Sequence, residues 1–314
     1  MASSFASEEV TAFVPATVAN VGPGFDVLGL ALDGAGDTVL ARRATEPGVR
    51  IAEIQGDGGA LPLDAEANTA GIAARHTLLR AGLDVGVELF VEKGLPIGSG
   101  LGGSAASAVA AAFATNLLFG SPLRKVELVG PCLEAEAAVA GRHADNVAPA
   151  LLGGLILVRS LDPLDLVRLP LPAGLQVVVV TPAFELATRA AREALPAEVP
   201  LAALVRQSAQ LGAFVSACYS EDLGLLAESL VDPVVTPSRI GLVPGGEAAL
   251  AAARAAGALG ASLSGSGPSV FALCHSRVVA EEAARSMSAA FAEAGLESRS
   301  LVSPADNPGA RRLA

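Results

Sequence analysis

Tryptophan is absent and tyrosine occurs once among 314 residues. A stacking platform for single-stranded nucleic acid needs several aromatic faces, so that class is excluded. Positive charge is short as well. The formal net charge is -11, and no cluster of Lys and Arg offers the phosphate contacts that nucleic-acid binding requires. Cys132, Cys218 and Cys274 are too few and too scattered for a disulfide framework or a metal-ligand spacing, which fits a reducing compartment. His76, His143 and His275 are likewise unclustered. No apolar run reaches the length of a membrane span, and the N-terminal MASSFASEEV lacks the basic-then-apolar pattern of a secretory leader. The expectation is a cytoplasmic chain that binds neither nucleic acid nor membrane.

What the chain does have is apolar mass. Hydrophobic residues make up 52% and charged residues 17%, enough to bury a substantial core, and the length suggests two domains. TAFVPATVANVGPGFDVLGLALD opens like a strand and breaks at Gly22, Pro23 and Gly24. Residues 37–43 and 85–95 alternate like strands, and residues 46–66 are rich in turn formers. Helical spacing predicts helices from Asn68, over 104–118 and over 123–141. The Pro-rich DPLDLVRLPLPAG reads as the crossing between domains, 1–165 and 166–314. Beyond it, GLQVVVVT and SVFALCH read as strands, with helices near 185–195, 201–219, 222–230 and 246–257 and a long one over RVVAEEAARSMSAAFAEAG. The final SPADNPGARRLA reads as a tail. Strands and helices mix without a strict βαβ repeat, so the class expected is α+β.

The strongest single feature is PIGSGLGGSAAS, residues 96–107, between a predicted strand and a predicted helix. Its four glycines allow positive φ and close backbone approach. Backbone N–H groups at a helix N-terminus then suit an anion. Ser99, Ser104 and Ser107 add hydroxyls that reach phosphate or a metal ion. Gly98, Gly100 and Gly103 make a literal GxGxxG, yet the acidic residue expected about 20 positions on, opening a second strand, is missing. No Gly-Lys-Ser/Thr follows, so the Walker pattern is absent too. A tight structural turn is the bland alternative to a phosphate cradle.

The same segment resembles the ATP-phosphate loop of the GHMP kinases. LGASLSGSGPSVFAL, residues 259–273, resembles that family's C-terminal glycine-rich motif, and VPATVANVGPGFDVLGLALD, residues 14–33, its N-terminal substrate motif. Three ordered motifs spread over most of the chain make the match specific. The resemblance implies a two-domain α+β fold, a first domain like ribosomal protein S5 domain 2 and a second that is ferredoxin-like, with ATP and Mg2+ between them. It assigns Pro96, Ile97, Gly98, Ser99, Gly100, Leu101, Gly102, Gly103, Ser104, Ala105 and Ser107 to the nucleotide. Asn68 resembles a residue near the base, and is equally a good helix N-cap.

Within the family, ATVANVGPGFD and HADNVAP are similar to the homoserine kinases rather than to the sugar or mevalonate members. That likeness implies phosphorylation of L-homoserine by ATP, with Asn20, Asp26, His143, Asn146, Arg192 and Arg239 around the amino acid. The chemistry is coherent: an acidic side chain suits the ammonium, and two guanidinium forks suit the carboxylate. Thr188 and Arg192, four apart, share one helix face and join Asn146 as candidate catalytic residues. Glu136, together with Ser104, is the candidate for Mg2+, and Glu134 competes with it. Where many family members carry an Asp base, this chain has Asn146, and an amide cannot take a proton at neutral pH. The resemblance therefore implies transfer without a strong protein base, with the hydroxyl oriented by Asn146. Other small-molecule kinases of the family, and a catalytically silent ligand sensor, are the alternatives. Dimerisation is a family expectation.

Overall fold

The computed structural model describes residues 8–139 and 141–314. The first half runs β1 (Glu9–Ala19), β2 (Leu28–Ala44), β3 (Gly48–Gln55), α1 (Thr69–Ala81), β4 (Gly86–Glu92), α2 (Gly103–Leu118), α3 (Val129–Val139), α4 (Val147–Leu152), β5 (Leu155–Leu161) and β6 (Leu164–Leu169). The second runs β7 (Gln176–Pro182), α5 (Thr188–Glu193), α6 (Leu201–Ser220), α7 (Leu223–Ser229), α8 (Val235–Arg239), α9 (Gly246–Ala255), β8 (Gly260–Leu263), β9 (Val270–Cys274), α10 (Arg277–Glu293), β10 (Ser298–Pro304) and β11 (Arg311–Arg312).

Local chemistry sets these boundaries. The Asn68 side chain accepts from the Ala70 N–H and starts α1, and Gly82 ends it in the left-handed region. α2 is alanine-rich because it is buried nearly all round, against β1, β2, α1 and α3. Small side chains let five elements approach one another there.

The first sheet has the order β11-β1-β2-β4-β3, with β5 and β6 joined through β2. β3 and β4 are parallel and are linked by α1. The second sheet has the order β10-β7-β9-β8, all antiparallel. With α9 and α10 as its crossovers, it is a ferredoxin-like βαββαβ unit. β7 explains how the halves meet. Val177 and Val179 join the larger core, which includes the first sheet, while Val178 and Val180 join the core under α9 and α10. A strand buried on both faces needs an unbroken apolar run, and VVVV supplies it.

Three sequence expectations need correction. The turn-rich stretch 46–66 contains β3, an edge strand with a single buried residue, Ile51, so its alternation is weak. The Pro-rich crossing contains β6, which pairs with β5 as a hairpin, so the chain leaves the first sheet after Leu169. The segment read as a tail is built in. Part of it completes β10, β11 pairs with β1, and Ser303, Ala305, Asn307 and Ala310 are buried. The Asn307 amide donates to the Ala31 carbonyl at 3.3 Å, to Ser303 Oγ at 3.0 Å and to the Pro304 carbonyl. Asn307→Ala removes a buried donor from those acceptors and is expected to cost about 1–3 kcal/mol. A urea titration should show a lowered midpoint; an unchanged midpoint would mean that the segment does not share the fold's cooperativity.

Candidate active site

A cavity of about 340 Å³ lies where the two halves meet. Its walls come from the β1–β2 loop, the 61–69 segment, the glycine loop, α3, the α3–α4 loop, α5, α8 and the β8–β9 loop.

The glycine loop leaves β4 and enters α2. Gly98, Gly100 and Gly102 all have positive φ. A side chain at Gly100 would lie 2.6 Å from the Gly267 carbonyl oxygen and 2.7 Å from that of Ser264. At Gly102 it would lie 2.2 Å from Thr17 Oγ1 and 2.7 Å from Asn146 Oδ1. Both glycines are therefore required for close approach as well as for conformation. The β8–β9 loop latches the glycine loop from the second half. Ser264 Oγ donates to the Gly100 carbonyl at 2.7 Å, and Ser269 donates to the Ser99 carbonyl through Oγ at 2.6 Å and N–H at 3.2 Å.

Most residues assigned to the nucleotide line the cavity: Asn68, Pro96, Ile97, Gly98, Ser99, Gly100, Gly102, Gly103, Ser104 and Ser107. Leu101 and Ala105 do not; they turn into the core. Asn68 spends its side chain on the protein, accepting from Ala70 and donating to the Pro62 carbonyl at 2.9 Å. The N-cap reading describes its contacts. Ser107 is likewise engaged, with Asp37 and Lys93.

Glu136 is buried on the cavity wall, and its Oε1 has no hydrogen-bond partner among the described residues. Burial pushes its carboxyl up to about 7, against the pull of the Ser104 hydroxyl and the Lys93 ammonium. Glu134 instead pairs with Arg142 at the surface, 3.3 Å away. A buried, unpartnered carboxylate oxygen beside a serine hydroxyl is a donor set that fits a hard cation.

The remaining residues cluster around Asp26, which has a positive φ and follows the equally unusual Asn20 and Val21. The Asn20 side chain braces this turn, accepting from the Asp26 N–H and donating to the Gly265 carbonyl, each at 3.0 Å. Asp26 lies 3.5 Å from His143 Nδ1 and 3.6 Å from Arg192. Arg192 can only donate, so His143 Nε2, 2.9 Å away, is the acceptor. The imidazole is then neutral, with its proton on Nδ1 toward Asp26. Burial, then the Arg192 charge, holds its proton affinity down against Asp26. Arg239 is buried over the Phe25 ring and donates to the carbonyls of Ala191 at 2.8 Å and Gly265 at 3.3 Å. Asn146 accepts from the Thr17 hydroxyl at 2.7 Å, so the group it can offer a ligand is its Nδ2–H. Thr188 opens α5, but its side chain lies outside the described part of the structure.

Sequence reasoning missed Lys93 and Asp37, and did not decide where Asp145 points. Asp145 lines the cavity with Asn146. The signal for Lys93 was available: only two of 21 basic residues are lysines, and one directly precedes the glycine loop.

The family models for the GHMP kinases N terminal domain and C terminal domain match residues 68–154 and 214–293. The homoserine kinase of Xanthomonas campestris pv. campestris (strain B100) is 46% identical over 98% of this chain and 94% of its own. That of Chlorobaculum tepidum is 44% identical over 96% of this chain and 97% of its own. The crystal structure of the Cytophaga hutchinsonii homoserine kinase superposes with a TM-score of 0.96 at 42% identity, over 100% of both chains. The L. major mevalonate kinase shares the fold, with a TM-score of 0.72 at 18% identity over 96% and 99% of the two chains. The chain therefore belongs to the GHMP kinases and, within them, to the homoserine kinases.

Burial first, and Asp26 second, lift the Asp145 carboxyl from 3.8 to about 7. The folded chain then holds a proton that the unfolded chain releases, so stability falls as pH rises between those values. The loss attributable to this group is on the order of 4 kcal/mol as an upper figure. Asp145→Asn should flatten the decline; thermal melts of the ligand-free protein from pH 5 to 8 check it, and parallel curves for variant and wild type would count against the assignment.

Proposed function

We propose that the chain transfers the γ-phosphoryl group of ATP to the side-chain hydroxyl of L-homoserine, giving ADP and O-phospho-L-homoserine, a step toward threonine. One observation carries the reading. A single cavity joins a glycine loop suited to phosphates with two acidic side chains, Asp26 and Asp145, and two guanidinium groups, Arg192 and Arg239. Those four groups match an α-amino acid: carboxylates for the ammonium, forks for the carboxylate.

The cycle follows from the residues. The glycine-loop amides at the start of α2 receive the triphosphate. Glu136 and Ser104 would hold Mg2+, which neutralises phosphate charge when bound. Asp26 and Asp145 share the substrate ammonium, whose charge relieves the penalty of burying Asp145 ionised. Arg239, fixed by three contacts, presents what remains of its fork to the substrate carboxylate, and Arg192 adds a second. Asn146 Nδ2 donates to the substrate hydroxyl and fixes its approach. The hydroxyl oxygen bonds to the γ-phosphorus as the bond to the bridging oxygen of ADP breaks, and its proton passes to the transferred phosphoryl group or to solvent. A loose transition state asks for little base strength, so position and charge decide the rate. The three cysteines are free thiols, which suits a cytoplasmic enzyme.

An ADP-release assay with Mg-ATP and a panel of L-homoserine, L-serine, L-threonine, mevalonate, shikimate and galactose tests the reaction. Turnover with homoserine alone is expected. Turnover with another alcohol would replace the substrate, and ATP binding without turnover would point to a sensor. Glu136→Gln is expected to lower kcat by at least ~100-fold and to raise the Mg2+ concentration for half-maximal rate. An unchanged Mg2+ dependence would remove Glu136 from the metal site. Asn146→Ala should depress kcat far more than ATP affinity; equal losses in both would remove its orienting role.

A further inference from the structure

Lys93 ends the segment that leads into the glycine loop, and its ammonium is buried: side-chain exposure is 4%, against 0% for its ion-pair partner Asp37. An ammonium has three donors. Here one goes to Asp37 Oδ2, one to the Gly103 carbonyl at 2.8 Å and one to Ser107 Oγ at 2.8 Å. The Ser107 hydroxyl in turn donates to Asp37 Oδ2 at 2.7 Å. The other Asp37 oxygen accepts from the N–H groups of Gly94 at 3.1 Å and Leu95 at 3.2 Å. One carboxylate on β2 thus gathers both ends of the glycine loop. Its entrance is held at Lys93, Gly94 and Leu95, its exit at Gly103 and Ser107. Although Lys93 lines the cavity, no donor is left over for a phosphate oxygen.

We propose that Asp37, Lys93 and Ser107 form a buried clamp that fixes the mouth of the phosphate loop, with Lys93 a positioning residue and not a phosphate ligand. The inference rests on the kinase reading given above. Loop amides receive a triphosphate well only if their directions are set beforehand, and a ten-residue glycine-rich segment does not set them by itself. Anchoring its two ends to one ion pair removes most of that freedom. The clamp is internally neutral, so it sits dry beneath the loop without drawing the nucleotide into it. Its ammonium also lies close enough to Glu136 to favour the ionised carboxylate.

A fluorescent ATP analogue, titrated without acceptor, separates clamp from ligand. Ser107→Ala keeps both charges and is the variant best able to fold, as circular dichroism and a melt would verify. It should weaken analogue binding ~10-fold, and Lys93→Met ~100-fold, in line with one and several lost charge-assisted bonds. The KM for homoserine should stay within about two-fold, because the acceptor residues lie on other loops. Asp37→Asn frees a Lys93 donor. A direct phosphate ligand would then bind the analogue as well or better, whereas a loosened clamp binds it worse. The double variant Asp37→Asn/Lys93→Met should be no weaker than the weaker single, as expected for one unit. Unchanged affinity in folded Ser107→Ala, or retained affinity in Asp37→Asn, overturns the clamp. If the wild type itself does not bind the analogue, the kinase reading fails first and the clamp with it.

Discussion

The contact on which the site depends is the one between the two glycine-rich loops. Ser264 and Ser269 donate to the carbonyls of Gly100 and Ser99, and Asn20 and Arg239 both donate to the carbonyl of Gly265. Carbonyls tied back in this way cannot turn into the cavity, where their partial negative charge would repel phosphate. The same contacts draw the Asp26 turn from the first half and the Arg239 helix from the second against one carbonyl. Separate the halves and the proposed phosphate and amino-acid seats would both lose a wall.

Charge in the cavity is local and does not reflect the whole chain. The net charge of -11 repels an anionic nucleotide at a distance. On the proposed reading, capture of the nucleotide therefore rests on oriented backbone amides, which act strongly because the site is partly dry. Burial also explains why Glu136 and Asp145 hold protons near neutrality. On the proposed reading each carboxylate sits where a cation would bind, and that cation would relieve it. A chain built this way trades ligand-free stability for readiness to bind.

Much of the architecture was legible in the residues. The helical period located α1, α2 and α10 closely, and the VVVV run announced a buried strand, which the fold covers on both faces. Elements that bury little gave little signal, which is why β3 was read as turns. β6 and the β10–β11 segment were obscured by prolines, which read locally as breaks although neighbouring strands supply their pairing partners. In the site, the glycine loop was legible because its composition is extreme. Asp37 was not, because a lone Asp in an apolar strand acquires meaning only from what packs over it.

By itself the sequence determined the family, the order of the motifs and the kinds of chemical group on offer, because glycine, serine and acid–amide patterns constrain local backbone and local chemistry. Only the tertiary structure decided how those groups are spent. Asn68 is used up as a helix cap, Asn20 as a brace and Ser107 in a buried ion network, while Asp145 and Glu136 are left open to the cavity. The reason is that a polar side chain acts on whatever partner lies within about 3 Å. Partners brought from more than a hundred residues away, as Thr17 is to Asn146, are set by packing and not by spacing along the chain.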